Sequence, residues 1–114
     1  MVQEINTDMH TRVLADVNQR EQEAYKEVLE KRERYENAMS LFTRIQNKLN
    51  QARLALESSN QSGKSDAQSA YNKLYKQSQN ADIDVSVFRS SLLSSASYHR
   101  KVNNSAMLAN SILG

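Results

Sequence analysis

Ser58-Ser59-Asn60-Gln61-Ser62-Gly63-Lys64-Ser65 is the one long interruption between two segments that otherwise read as helix. It holds one of the two glycines in 114 residues, and the other is the last residue. Proline is absent, so nothing else in the chain competes as a breaker. If the chain turns once, it turns here, and the fold class that follows is all-α: a long antiparallel helical hairpin of coiled-coil type. The expected layout is a single domain over 1–114, with one arm over about 8–57, a turn over 58–65 and a second arm over about 66–113.

The arms carry the pattern such a hairpin needs. In the second, Ala67, Tyr71, Leu74, Ser78, Ala81, Val85, Phe88, Leu92, Ser95, His99, Val102, Ala106, Ala109 and Leu113 step alternately by four and three. That alternation keeps one stripe facing a partner helix. In the first arm the stripe is Leu14, Val17, Ala24, Val28, Tyr35, Ala38, Phe42, Ile45, Leu49, Ala52 and Leu56, with Glu21 and Lys31 on inward positions. Val2, Ile5, Met9 and Val13 follow a neighbouring phase, which predicts a slip of register before Leu14. Asn6, Thr7 and Asp8 suit a helix cap, so the first helix is expected to begin near Thr7. Asp66 is read as the cap or first-turn acid of the second arm. Near Asn80–Val87, Ile83, Val85 and Val87 alternate with polar residues as a strand would. The unbroken heptad favours one continuous helix there, and a kink or a third helix starting near Asp84 is the alternative.

With a turn centred near residue 61 or 62, facing residues have numbers adding to roughly 123. Leu49 then lies near Leu74, Phe42 near Ala81 and Tyr35 near Phe88, and Glu21 and Ala24 face the Ser95–His99–Val102 stretch. Phe42, Ile45, Leu49, Leu74, Phe88 and Leu92 are the expected centre of the seam. The charged stretch between Asn18 and Asn37 is read as a solvated helix face, supported by the acid-first pairs Glu27–Lys31 and Glu30–Arg34.

Composition narrows the function. Apolar residues make up 39% of the chain, aromatics 6%, and the mean hydropathy is -0.74. A chain this polar concentrates its apolar residues into stripes instead of surrounding a deep core. Without cysteine there are no disulfides or thiolate metal sites. Met1–Arg20 has no apolar run, and no stretch reaches the ~20 apolar residues of a membrane span. The expectation is a protein with no membrane span that is cytoplasmic or exported by a route without a cleaved signal.

No catalytic, metal or cofactor site is expected. His10 and His99, the only histidines, are several helical turns apart in the hairpin register. The carboxylates between Glu21 and Glu36 alternate with bases, so they read as paired. Gly63-Lys64-Ser65 resembles the tail of a phosphate-binding loop, but Ser58 stands where its first glycine belongs and no strand precedes it.

A second copy or another protein is the expected partner. Burying one seam contributes ~1.5–3 kcal/mol for each large side chain, which scarcely offsets chain entropy of ~1–2 kcal/mol per residue. Further apolar residues flank the seam, and Tyr25, Leu29, Met39, Leu93, Met107, Leu108 and Ile112 are the candidate partner or oligomer interface. The chain therefore reads as a non-enzymatic interaction or assembly protein: a structural subunit, adaptor or chaperone, and a homo-oligomer. In size and outline it resembles the small hairpin proteins of bacterial export systems, including needle-type subunits and the secreted Trp-X-Gly class. It has neither a Trp-X-Gly turn nor a proline-bearing one, so no residue roles carry over. Bacterial secretion is the setting that likeness implies, and the polar, uncharged composition, rich in Ser, Asn and Gln, adds phage assembly by analogy.

The rival is nucleic-acid binding through the turn region. Arg44, Lys48, Arg53, Lys64, Lys73 and Lys76 stand there against Glu57 and Asp66. A solvated surface is the plainer reading of the same charges.

Overall fold

The computed structural model describes residues 2–114, with side chains from Asp8 onward. Helix α1 runs Val2–Ser58 and helix α2 runs Gln61–Leu113. The two form an antiparallel helical hairpin. The chain divides into two compact units: unit 1 joins Met1–Arg32 to Ser91–Gly114, and unit 2 is Glu33–Ser90. In both units an α1 segment packs on an α2 segment.

The turn is shorter than the sequence suggests and is built differently. Only Ser59 and Asn60 lie outside helix, so the expected 58–65 turn shrinks to its centre. Asn60 is the cap: its Oδ1 accepts from the Gly63 amide at 3.0 Å and from the Ser62 hydroxyl at 2.8 Å. The first of these satisfies one of the amides at a helix start that have no partner within the helix. Across the turn, the Ser58 hydroxyl donates to the Leu54 carbonyl at 2.9 Å and that of Ser59 to Leu56 at 2.8 Å. Side chains thus close both helix ends, and two residues suffice to reverse the chain.

Gly63 is therefore helical and not the hinge, and its φ is not positive. Asp66 lies beyond the first turn of α2 and caps nothing. At the other end α1 already begins at Val2, so Thr7 and Asp8 are inside the helix; the side chains of Val2, Ile5, Asn6 and Thr7 lie outside those described. A Cβ on Gly63 would meet Asn60 Oδ1 at 3.5 Å, an ordinary contact. Gly63→Ala is accordingly expected to stabilise the hairpin by ~0.5–1 kcal/mol. Asn60→Ala is expected to cost ~1 kcal/mol. Urea unfolding followed by circular dichroism reads both signs. A loss of stability in Gly63→Ala would restore the glycine hinge.

The seam matches the heptad throughout. All fourteen α2 positions from Ala67 to Leu113 are buried or half-buried, as are the thirteen α1 positions from Leu14 to Leu56, Glu21 and Lys31 included. Met9 and Val13 are exposed, where the phase leaves the seam. α2 passes through 80–87 without interruption, so neither a kink nor a third helix begins at Asp84. Val85 faces inward there, while Ile83 and Val87, four residues apart, share an outward face.

The best-buried residues are small: Ala24, Val28, Ala38, Ala81, Val85 and Ala106, with Ser78 and Ser95. Among the described residues no large side chain is fully buried. A helix pair covers only one side of each helix, so a small residue at the seam sits wholly beneath its neighbours. Phe42, Leu49, Leu74, Phe88 and Leu92 reach past it and remain half-buried.

Contacts between the helices fix the register. In unit 2, Gln46 Nε2 donates to Ser78 Oγ at 2.6 Å, and the two numbers add to 124. In unit 1, His99 meets Glu21 at 2.8 Å and Asn110 Nδ2 donates to Asn18 Oδ1 at 2.9 Å, adding to 120 and 128. These bracket the expected 123. The surface ion pairs differ from expectation. Asp16–Arg20 closes at 3.0 Å, both side chains well exposed, whereas neither Glu27–Lys31 nor Glu30–Arg34 does. Exposed pairs of this kind gain so little that long side chains often stay free.

Candidate interaction faces

If the seam positions are lettered a (Val28, Val85) and d (Ala24, Ala81), the flanking e and g positions define two sides of each helix pair. In an antiparallel pair, e positions of the two helices share one side and g positions the other. Two features bear this out. Asn18 and Asn110, bonded in unit 1, are both e residues. Arg34, Leu41 and Asp84, which line one groove in unit 2, are all g residues.

The seven residues expected at a partner interface are all exposed, and they do not form one patch. Leu93 and Leu108 are 62% exposed, Met107 63% and Ile112 69%. Within unit 1, Tyr25 (e), Leu29, Leu93 and Met107 (all b) lie on the e side, whereas Leu108 (c) and Ile112 (g) lie on the g side. Met39 (e) belongs to unit 2. The C-terminal apolar segment thus splits between two sides, because Met107 and Leu108 are neighbours in sequence and ~100° apart around the helix.

Exposed apolar residues outside that set include Leu54, Ile83, Val87 and Tyr98. Leu54 and Ile83 (both f) and Val87 (c) fall on outward positions of the heptad, while Tyr98 (g) flanks the seam. Leu41 and Tyr75 flank the seam in unit 2, where the rings of Tyr71 and Tyr75 stack with centroids 6.2 Å apart. On the g side of that unit an open groove of about 290 Å³ is lined by Ala38, Leu41, Ala81 and Phe88, with Arg34 and Asp84 at its edges. It exists because alanines meet across the seam where larger residues would fill the space.

Unit 1 carries the polar part of the seam. Glu21 and His99 are both a residues, and their side chains keep 27% and 22% of their exposure. A carboxylate only accepts, so His99 Nε2 carries the hydrogen that lies between them. The Tyr25 ring packs on the imidazole at 5.4 Å between centroids, a contact that the sequence reading missed. Its signal was the spacing: Tyr25 follows Glu21 by four, so both reach the same point on α2.

The six bases of the turn region also divide. Arg44, Lys48 and Lys73 occupy the g side of unit 2, Arg53 lies on the e side and Lys76 points outward at an f position. Lys64 is exposed in the first turns of α2. Among the described residues no group of three or more His, Asp or Glu is placed to hold a metal, and no helix is long and apolar enough to cross a membrane. No protein-family model, curated protein or solved structure matches the chain.

Proposed function

We propose that the chain is a non-enzymatic interaction protein, an assembly subunit, adaptor or chaperone whose helices present apolar flanks to the helices of a partner. One observation carries this reading. Large apolar side chains are left open on flanks beside the seam, while the seam itself buries nothing larger than valine below a tenth of its exposure. Amphipathic helices with stripes broader than one seam are those of bundles with more than two helices. Apolar residues at three- and four-residue spacing are what a helix lays into a partner's groove.

The division of the six bases favours a protein partner over nucleic acid. Only Arg44, Lys48 and Lys73 share a side, which is a short footprint on a phosphate backbone. Binding to mixed nucleic acid at low salt that collapses with added salt would reverse that preference.

Light scattering at micromolar concentration tests the main reading. Self-association or capture of apolar dye is expected, and a stable monomer that binds no dye sinks it. Leu108→Asp is expected to reduce assembly while leaving helicity within a few per cent, because Leu108 points away from the seam. Equal losses of both would make the C-terminal segment ordinary core. Co-purification from the native source, followed by the mass of the intact complex, identifies the partner.

A further inference from the structure

Within unit 2, the g side combines an apolar groove with an excess of bases. Its c and g positions hold Arg34, Arg44, Lys48 and Lys73 against Asp66 and Asp84, all exposed. Asp66 stands by the turn, beyond Lys73. Arg34 and Asp84 edge the groove formed by Ala38, Leu41, Ala81 and Phe88. The ion pairs among the described residues involve none of these six charges. The e side of the same unit sets Arg53 and Arg89 against Glu36, Glu57 and Asp82, so the basic excess belongs to the groove side.

We propose that this side of unit 2 docks an acidic amphipathic helix of a partner protein, laid along the trough between its α1 and α2 segments. A large apolar side chain of the partner enters the groove. Carboxylates on either side of that anchor meet Arg34 at one end and Arg44, Lys48 and Lys73 at the other. The proposal rests on the interaction reading above and names the partner's chemistry. Asp84 refines it: the partner residues next to the anchor are uncharged or basic, and the acids begin about one turn away.

The placement of the bases decides the shape of the ligand. Arg34 and Lys48 lie about four turns apart along α1, or ~21 Å, with the groove between them. A single anionic head group would meet one end and leave the other bare. A phosphate backbone would meet the bases and leave Leu41 and the groove in water. A helix of ~20 residues spans both ends and carries an apolar stripe between them. Exposed ion pairs are individually weak. Charge here selects partner and orientation, while covering Leu41 and filling the groove supply burial.

Fluorescence anisotropy of three labelled helical peptides, titrated with the full chain, tests this. One has a central Phe and Leu stripe with Glu toward both ends, one carries Lys in place of Glu, and one keeps Glu but has Ser in place of the stripe. The first is expected to bind at least ~10-fold tighter than either other, and to weaken between ~20 and ~500 mM salt. Arg44→Glu with Lys48→Glu, and separately Leu41→Ser, are each expected to weaken it by ~10-fold, while Arg53→Glu on the e side changes it less than ~2-fold. Circular dichroism of each variant establishes that the helices persist. Equal binding of the Lys peptide, or an equal loss in Arg53→Glu, overturns the proposal. So does a Ser-striped peptide, oleate or a single-stranded oligonucleotide bound as tightly as the first peptide. Self-association that Arg44→Glu with Lys48→Glu abolishes gives this side to a second copy and overturns it too. If the first peptide does not bind, this inference falls. The interaction reading then stands where the chain self-associates or captures apolar dye, and falls with it where the chain does neither.

Discussion

A chain carrying Glu21→Leu together with His99→Leu is expected to melt higher than the natural one, by ~4 °C or more, while His99→Leu alone melts lower. The pair occupies two inward positions where the heptad asks for apolar residues. Removing both from water costs desolvation that a single 2.8 Å contact recovers only in part. Two leucines in their place bury apolar area at the same points, for a gain of ~1 kcal/mol or more. Taking the histidine alone strands the Glu21 carboxylate in the seam without its donor, at a cost of ~1–3 kcal/mol. What the natural pair contributes is specificity: a polar contact that only one register and one orientation can make. Thermal unfolding followed by circular dichroism gives both signs. A double variant that melts below the natural chain would mean the pair is a net source of stability.

The second large effect sets two valines of one short stretch against each other. Val85→Asp places an unpartnered carboxylate at a seam position where the native side chain is 8% exposed. Burying such a charge costs ~3–5 kcal/mol, a large share of the ~5–15 kcal/mol that holds a typical domain. Loss of helical signal at low urea is the expected readout. Val87→Asp, two residues on and 58% exposed in the natural chain, is expected to stay within ~0.5 kcal/mol of it. Equal costs at the two sites would mean that α2 does not present Val85 inward and Val87 outward.

That stretch illustrates how far the sequence could be read. Ile83, Val85 and Val87 alternate as a strand would, and over five residues the helix and strand periods cannot be told apart. The longer heptad settles the matter, since Ala81, Val85 and Phe88 keep the spacing of the positions before and after them. The polar seam of unit 1 was legible in the same way, because residues near 21 and near 99 face each other for any turn centred near 61. The Tyr25 contact was legible only in part: its four-residue step from Glu21 brings it to the same point on α2, while the packing of the ring on the imidazole depends on rotamers. The turn was misread in its details. Gly63 is the stronger breaker by propensity, yet a glycine with negative φ fits inside a first helical turn. Asn60 wins because a helix start needs an acceptor for its free amides and its carboxamide is in place to provide one.

The sequence by itself determined the two-helix pairing and its seam, since a repeat of three and four residues sustained along both arms leaves one way to bury the stripe, and near-equal arms leave one way to fold back. Only the tertiary structure decided that the reversal takes two residues and that alanines meeting across the seam open a groove in unit 2. Those outcomes follow from side-chain volume and hydrogen-bond reach across the pair, which are properties of two segments together and are written in neither alone.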